Sequence, residues 1–148
     1  MIREYPSRPI VGIGVVVLAS NKVLMIRRAK EPRKGKWSLP GGAQEIGETI
    51  FDAAHREVLE ETGLNVEILG MVDVVDSIRH DDLGGVQYHY TLIDFVALII
   101  GSGIPKAGSD ASEVAWMTME EISNMDLWSE TIRIINLGIE QASALGRL

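Results

Sequence analysis

The stretch GAQEIGETIFDAAHREVLEETGL, residues 42–64, decides how this chain is read. A glycine turn leads into a helix that Thr49 can cap and that stops after Thr62 at Gly63, a residue suited to the left-handed position past a helix end. At about 100° per residue, Glu57, Glu60 and Glu61 fall within an arc of roughly 100° on that helix. Like charges at i,i+4 destabilise a helix by roughly 0.2–0.5 kcal/mol a pair when nothing compensates them, so their clustering suggests a cation among them. Three carboxylates on one face read as a metal site suited to phosphate chemistry.

The rest of the helix fits that reading. Phe51, Ala54, Val58 and Thr62 form the expected buried stripe, with His55 and Leu59 flanking it. Glu61 borders the stripe, Glu57 lies beside it and Glu60 sits further toward solvent, so the carboxylates are expected to line a groove between helix and sheet. Arg56 and Glu48 project to other sides, where an ion pair would tie the preceding loop to the helix.

Composition bounds the possibilities. With 148 residues, the chain is long enough for one compact domain with a real core, and a single domain over 1–148 is expected. A composition of 46% hydrophobic and 24% charged residues reads as soluble and globular. The formal charge of -7 argues against a nucleic-acid polymer as partner, because such binding depends on clustered Lys and Arg. A small anionic substrate bridged by metal ions remains compatible with it. The chain has no cysteine, which excludes disulfides and thiolate metal sites and suits a reducing, cytoplasmic setting. The apolar run 10–19 follows Arg3 and Arg8, but it is Val-rich, has Glu4 and Pro9 just upstream and is too short to span a bilayer; neither a signal peptide nor a membrane anchor is expected.

Outward from the central stretch, residues 10–18 and 23–28 read as strands joined by a tight turn at Ser20-Asn21-Lys22. Gly12-Ile13-Gly14 lacks the third glycine and the helix of a dinucleotide loop and reads as part of a packed strand. Arg27 and Arg28 alternate, so one is expected at solvent and the other in a cleft, and both are candidate substrate-binding residues. A polar loop over residues 29–36, with Pro32 and Gly35, delivers the chain to Trp37-Ser38-Leu39-Pro40-Gly41-Gly42. There Gly41 and Gly42 allow backbone conformations closed to other residues, and the turn can bring bare backbone against a ligand or metal.

Beyond the helix, residues 66–78 and 86–100 read as long strands around a polar tip at 79–85. His80 and His89 lie on different elements without ligand-like spacing, so substrate contact or surface placement is expected, with His80 the substrate-binding candidate. Asp94, polar in an apolar run, is expected to be hydrogen-bonded in the core. A Gly/Ser-rich loop over 101–113, carrying Ser109, Asp110 and Glu113, precedes a short strand over 114–117 and could supply another carboxylate. Thr118-Met119-Glu120-Glu121 is a capping-box sequence. Residues 129–144 form an amphipathic helix with Ile132, Ile135, Ile139 and Ala142 on one face, and Trp116 and Trp128 read as core.

The stretch 42–64 resembles the Nudix box at every defining position: Gly42, Glu48, Arg56-Glu57, apolar Val58, Glu60-Glu61, Gly63 and apolar Leu64. The lead-in from Gly35 to Gly41 is also similar to the family's, and the order of strands and helices fits nearly the whole chain. The resemblance implies an α/β/α sandwich around a mixed sheet. It also implies Mg²⁺- or Mn²⁺-dependent hydrolysis of a nucleoside diphosphate linked to another group, with more than one ion when substrate is bound. Carried over by position, Glu57, Glu60 and Glu61 are the metal ligands, the Gly42 carbonyl adds another, and Arg56 with Glu48 braces the loop. The catalytic base varies in the family, so Glu60, Glu61 and Glu113 are all candidates, with Asp110 behind Glu113 as a loop choice. A homodimer is the assembly that the resemblance implies; the sequence itself does not establish one.

Three substrate readings follow. Residues 88–95 and the loop 109–113 look like the ADP-ribose pyrophosphatase-related branch, although Ser77-Ile78-Arg79-His80 stands where many such enzymes carry a proline. The tyrosine expected of diadenosine polyphosphate hydrolases is missing too. A nucleotide-sugar diphosphatase leads, a MutT-like nucleoside triphosphate pyrophosphohydrolase is the alternative, and a nucleotide-sensing module without turnover comes third, because its hallmark would be a damaged box.

Overall fold

The two long hydrophobic strands that the sequence places before and after the glutamate helix lie side by side. The structure, a computed structural model, describes residues 3–31, 33–108 and 110–148; Pro32 and Ser109 lie outside the described residues. β1 (Ile10–Ala19) runs parallel to β6 (Val86–Ile100), from Ile10 opposite Tyr90 to Leu18 opposite Leu98. β1 turns at Ser20 and Asn21 into β2 (Lys22–Arg28), as its turn residues predict. β5 (Asn65–His80) pairs antiparallel with β6, and β7 (Ala111–Thr118) with β2. Two short strands, β3 (Trp37–Ser38) and β4 (Gly41–Ala43), pair with β2 and β1. Among the described residues these make one mixed sheet in the order β3-β2-β1-β6-β5, with β4 and β7 branching from β1 and β2.

Alternation along β1 builds two cores. Val15 and Val17 join Phe95, Ala54 and Val58 beneath α1 (Ile50–Thr62). Val16 and Leu18 join Val96, Ile122 and Ile135 beneath α2 (Met119–Ser123) and α3 (Ser129–Ala144). Residues i and i+2 share a face and i+1 takes the other, so one Val run feeds both layers. The expected α/β/α sandwich is therefore the observed architecture. No helix among the described residues is long and apolar enough to cross a membrane.

Both long helices are rotated from the expected stripe. α1 buries Ala53, Ala54, Glu57, Val58, Glu61 and Thr62, while Phe51 stays half exposed with its ring 5.2 Å from that of Phe95. The small Ala53 and Ala54 let the helix approach the sheet, and the carboxylates turn inward as a result. α3 buries Ile134, Ile135, Gly138 and Ala142, leaving Ile132 and Ile139 at the border. Gly138 is the reason: a Cβ there would lie 3.3 Å from Val16, so its absence seats the helix on β1.

Two further expectations change. β7 begins at Ala111, so Glu113 stands inside a strand and not on the loop before it. Gly41 and Gly42 have no left-handed backbone; they sit in β4, and space is what requires them. A Cβ on Gly41 would meet the Ile13 carbonyl at 1.9 Å, and one on Gly42 would meet the Glu57 carboxyl at 2.5–2.7 Å.

Candidate active site

β4 carries the chain edge-on past the N-terminal half of β1 and across the face of α1. The Gly41 N–H donates to Glu61 Oε1 at 2.6 Å, and Gly42 abuts Glu57. Glu61 is 3% exposed and Glu57 8%. From the other side, the loop after β6 covers the C-terminal turn of α1, Lys106 N–H bonding to the Thr62 carbonyl at 2.8 Å and Gly108 N–H to that of Glu61 at 2.9 Å. These bonds satisfy carbonyls that a helix end leaves open. The loop is thereby fastened to the helix, which brings Asp110 to the same place.

Glu57, Glu61, Asp110 and Glu31 line a cleft of about 320 Å³ together with Gly41, Gly42, Arg3, Arg28 and Lys30. Lys30 pairs with Asp110 at 2.8 Å. Burial pushes the Glu61 carboxyl up to about 8, against the pull of the Gly41 N–H, and burial likewise raises Glu57. Two carboxyls that are costly to ionise when buried side by side are stabilised by a divalent cation, and an all-oxygen donor set is what Mg²⁺ or Mn²⁺ takes. On that chemistry the residues present fit such an ion.

Glu60 stands apart from the other two. Its side chain is 56% exposed and reaches the Arg56 guanidinium at 3.2 Å. Contrary to the expected separation, Arg56 does not project away from the acidic face. It contacts Glu57 at 2.8 Å as well, and grips Glu48 with Nε at 2.8 Å and Nη2 at 2.7 Å. Nη2 also donates to the Ala43 carbonyl at 3.1 Å, so one guanidinium ties the loop after β4 to α1. The side-chain bond from Arg56 holds Glu48 down to about 2. As a result, among the described residues no three acidic or histidine side chains converge as a ready metal cage.

The remaining expected site residues divide between cleft and surface. Arg28 lines the carboxylate cleft, whereas Arg27 lines no cleft described here. Arg27 bonds to the Gly35 carbonyl at 2.9 Å and to Glu113 at 3.2 Å, making a strut between β2 and β7. Glu113 is thus a partner of Arg27 and does not line the cleft of Glu57 and Glu61, whereas Asp110 does. His80 ends β5 at the surface and lines neither cleft; its neighbour Arg79 does.

A second cleft, of about 330 Å³, adjoins the first across Gly41, Gly42, Arg3 and Arg28. Tyr88, Tyr90, Leu92 and Asp94 line it from alternate positions of β6, and Arg33, Arg79 and Trp128 line it from other elements. The Arg33 guanidinium lies 5.0 Å from the Trp128 ring centroid. Sequence reasoning assigned Trp128 to the core and gave the tyrosines no role. The period-two spacing from 88 to 94 was the available signal, since it places two aromatics and a carboxyl on one side of a strand. An aromatic-lined, cationic cleft beside a carboxylate cleft can seat a base and its phosphates against the buried carboxyls.

Comparison with known proteins agrees. The NUDIX domain family matches residues 8–137. An ADP-ribose pyrophosphatase of Methanocaldococcus jannaschii is 35% identical over 124 residues, covering 84% of this chain and 70% of that protein. The crystal structure of a MutT NUDIX hydrolase from Burkholderia pseudomallei superposes with a TM-score of 0.74 at 27% identity, covering 88% of this chain and 98% of the other. A bifunctional NMN adenylyltransferase/ADP ribose pyrophosphatase from Francisella tularensis, solved with AMP and a Mn ion, superposes at 0.70 with 27% identity, over 90% of this chain and 42% of that one. Fold and site thus define a hydrolase of phosphoric anhydrides. The chain belongs to the Nudix family and is a Nudix hydrolase of the pyrophosphatase kind.

Proposed function

We propose that this Nudix hydrolase acts with Mg²⁺ or Mn²⁺ on ADP-ribose or a related nucleotide sugar, releasing a nucleoside monophosphate and a sugar phosphate in the cytoplasm. The observation that carries the reading is the junction of the two clefts: bare glycine backbone and two arginines, Arg3 and Arg28, stand between buried carboxyls and an aromatic-lined pocket. Similarity to the archaeal ADP-ribose pyrophosphatase supports the substrate class.

Glu57 and Glu61 would hold the cation, with the Gly42 backbone at the same edge. Bound there, it would neutralise diphosphate charge and acidify a water molecule. The chain's own residues supply the rest. Arg3 and Arg28 take up phosphate charge at the junction, and Tyr88, Tyr90 and Trp128 offer faces to the base. Water attacks one phosphorus, the bridging anhydride P–O bond breaks, and the departing phosphate keeps the bridging oxygen. The water's proton passes to a carboxylate that reaches this cleft, and Glu61 and Asp110 do so. Asp110→Asn should then depress kcat more than Glu113→Gln, whose partner is Arg27; equal effects would remove Asp110 from the mechanism.

A panel of nucleotide sugars, dinucleotides and nucleoside triphosphates with Mg²⁺, scored by phosphate-containing product, tests the substrate. AMP with ribose 5-phosphate from ADP-ribose is the expected result. Pyrophosphate released from triphosphates, with nucleotide sugars untouched, would replace this reading by the MutT-like one.

A further inference from the structure

Asp94 is 6% exposed and lines the aromatic cleft, and no hydrogen bond or ion pair joins its carboxyl to another described residue. Among the described residues no side-chain oxygen sealed from solvent lacks a partner, so the Asp94 oxygens keep access to the cleft. The sequence led us to expect a hydrogen-bonded core residue, and the structure shows an acceptor without a donor. Buried polar side chains are almost always satisfied, and here the cleft is the side from which a donor can come.

The surroundings preserve this arrangement. Gly14 faces Asp94 across the β1–β6 ladder, and a Cβ there would come within 2.2 Å of Asp94 Oδ1, so glycine leaves room for the carboxyl. Arg133 does not reach it, being held by Asp73 at 2.9 Å and by Glu130. Glu130, another acidic residue lining this cleft, is therefore already paired. Burial first, and then the charge of Asp73, push the Asp94 carboxyl up to about 6, as expected of a group that the protein leaves uncompensated. Leu92, Tyr90 and Tyr88 continue from Asp94 along the same side of β6, so the acceptor lies at the end of a row that includes two aromatic rings.

We propose that Asp94 is a specificity-determining residue, its carboxyl accepting a hydrogen bond from the exocyclic amino group of an adenine base seated in this cleft. This rests on reading the cleft as the nucleotide site, but not on what is joined to the diphosphate. Replacing adenine by hypoxanthine turns the 6-amino donor into a carbonyl and sets oxygen against oxygen. A site built around a hydrogen bond rejects the analogue that cannot make it.

The full-length chain is tested with two substrate pairs, ADP-ribose against its hypoxanthine counterpart and ATP against ITP, and by calorimetric binding of AMP against IMP. Wild type should favour adenine by about tenfold or more, expressed mainly in KM and in binding. Asp94→Asn, uncharged and similar in shape, both accepts and donates, so the preference should collapse toward unity as hypoxanthine improves. Gly14→Ala, which crowds the carboxyl, should weaken the same preference independently. Turnover of ATP with ADP-ribose untouched would refute the proposed substrate, and the ATP/ITP ratio would still report on Asp94. Equal wild-type affinity for AMP and IMP, or an unchanged preference in Asp94→Asn, would overturn the role given to Asp94 whichever substrate is cleaved.

Discussion

Gly42 shows how a single missing side chain shapes the site. Its Cβ would occupy the space of the Glu57 carboxyl. Gly42→Ala should accordingly lower kcat/KM by about a hundredfold or more, a 1 Å misplacement being worth that much, and cost about 1–3 kcal/mol of stability through overpacking. Activity within twofold of wild type would refute this close-packing account. Asp94 yields a test at the same scale, read in pH. Its folded value near 6 lies above the ordinary 3.8, so between these limits the folded chain holds more protons than the unfolded one. Stability from this group therefore falls as pH rises from about 4 through 6. Asp94→Asn, always neutral, should be more stable than wild type at pH 7.5 by up to about 3 kcal/mol, an advantage that fades below pH 4. Denaturant titrations across that range measure it, and a constant difference would contradict the burial cost.

The elements were legible wherever a period or a cap is a local property. Thr49 accepts from the Asp52 N–H and Gly63 takes a left-handed φ of 73°, so both ends of α1 fall where the sequence puts them. Rotation about a helix axis is not local. It is set by what the sheet presents, and small residues decide it: Ala53 and Ala54 under α1 and Gly138 under α3 turned faces that periodicity alone assigns to Phe51 and Ile132. Gly138→Val should thus destabilise by about 1–3 kcal/mol, because its branches would enter space held by Val16; an unchanged denaturation midpoint would argue that α3 is not seated as described. The same limit hid the role of Arg56. A wheel diagram places it on another side from Glu57, yet a long side chain folds back along the helix and reaches Glu48, Glu57 and Glu60 together.

At the scale of the molecule, the fold was legible because two Val-rich strands, a capped acidic helix and a long hairpin admit few arrangements, and 42–64 carries a demanding pattern. The clefts were not, because they form between elements far apart in sequence. Arg28 on β2, Gly41 and Gly42 on β4, Tyr88 on β6 and Trp128 before α3 meet only after the sheet is assembled. Glu113 and His80 were chosen by proximity in sequence to a strand end or a tip, and the pairing of β2 with β7 carries Glu113 to Arg27 instead. Diphosphate cleavage is expected to depend on a cation held by the buried pair Glu57 and Glu61. The most direct measurement is ADP-ribose hydrolysis followed against Mg²⁺ concentration in wild type and Glu61→Gln. Equal yields of AMP and ribose 5-phosphate that saturate with Mg²⁺ are expected, with a loss of about a hundredfold or more in the variant. Near-full activity of Glu61→Gln at limiting Mg²⁺ would contradict it.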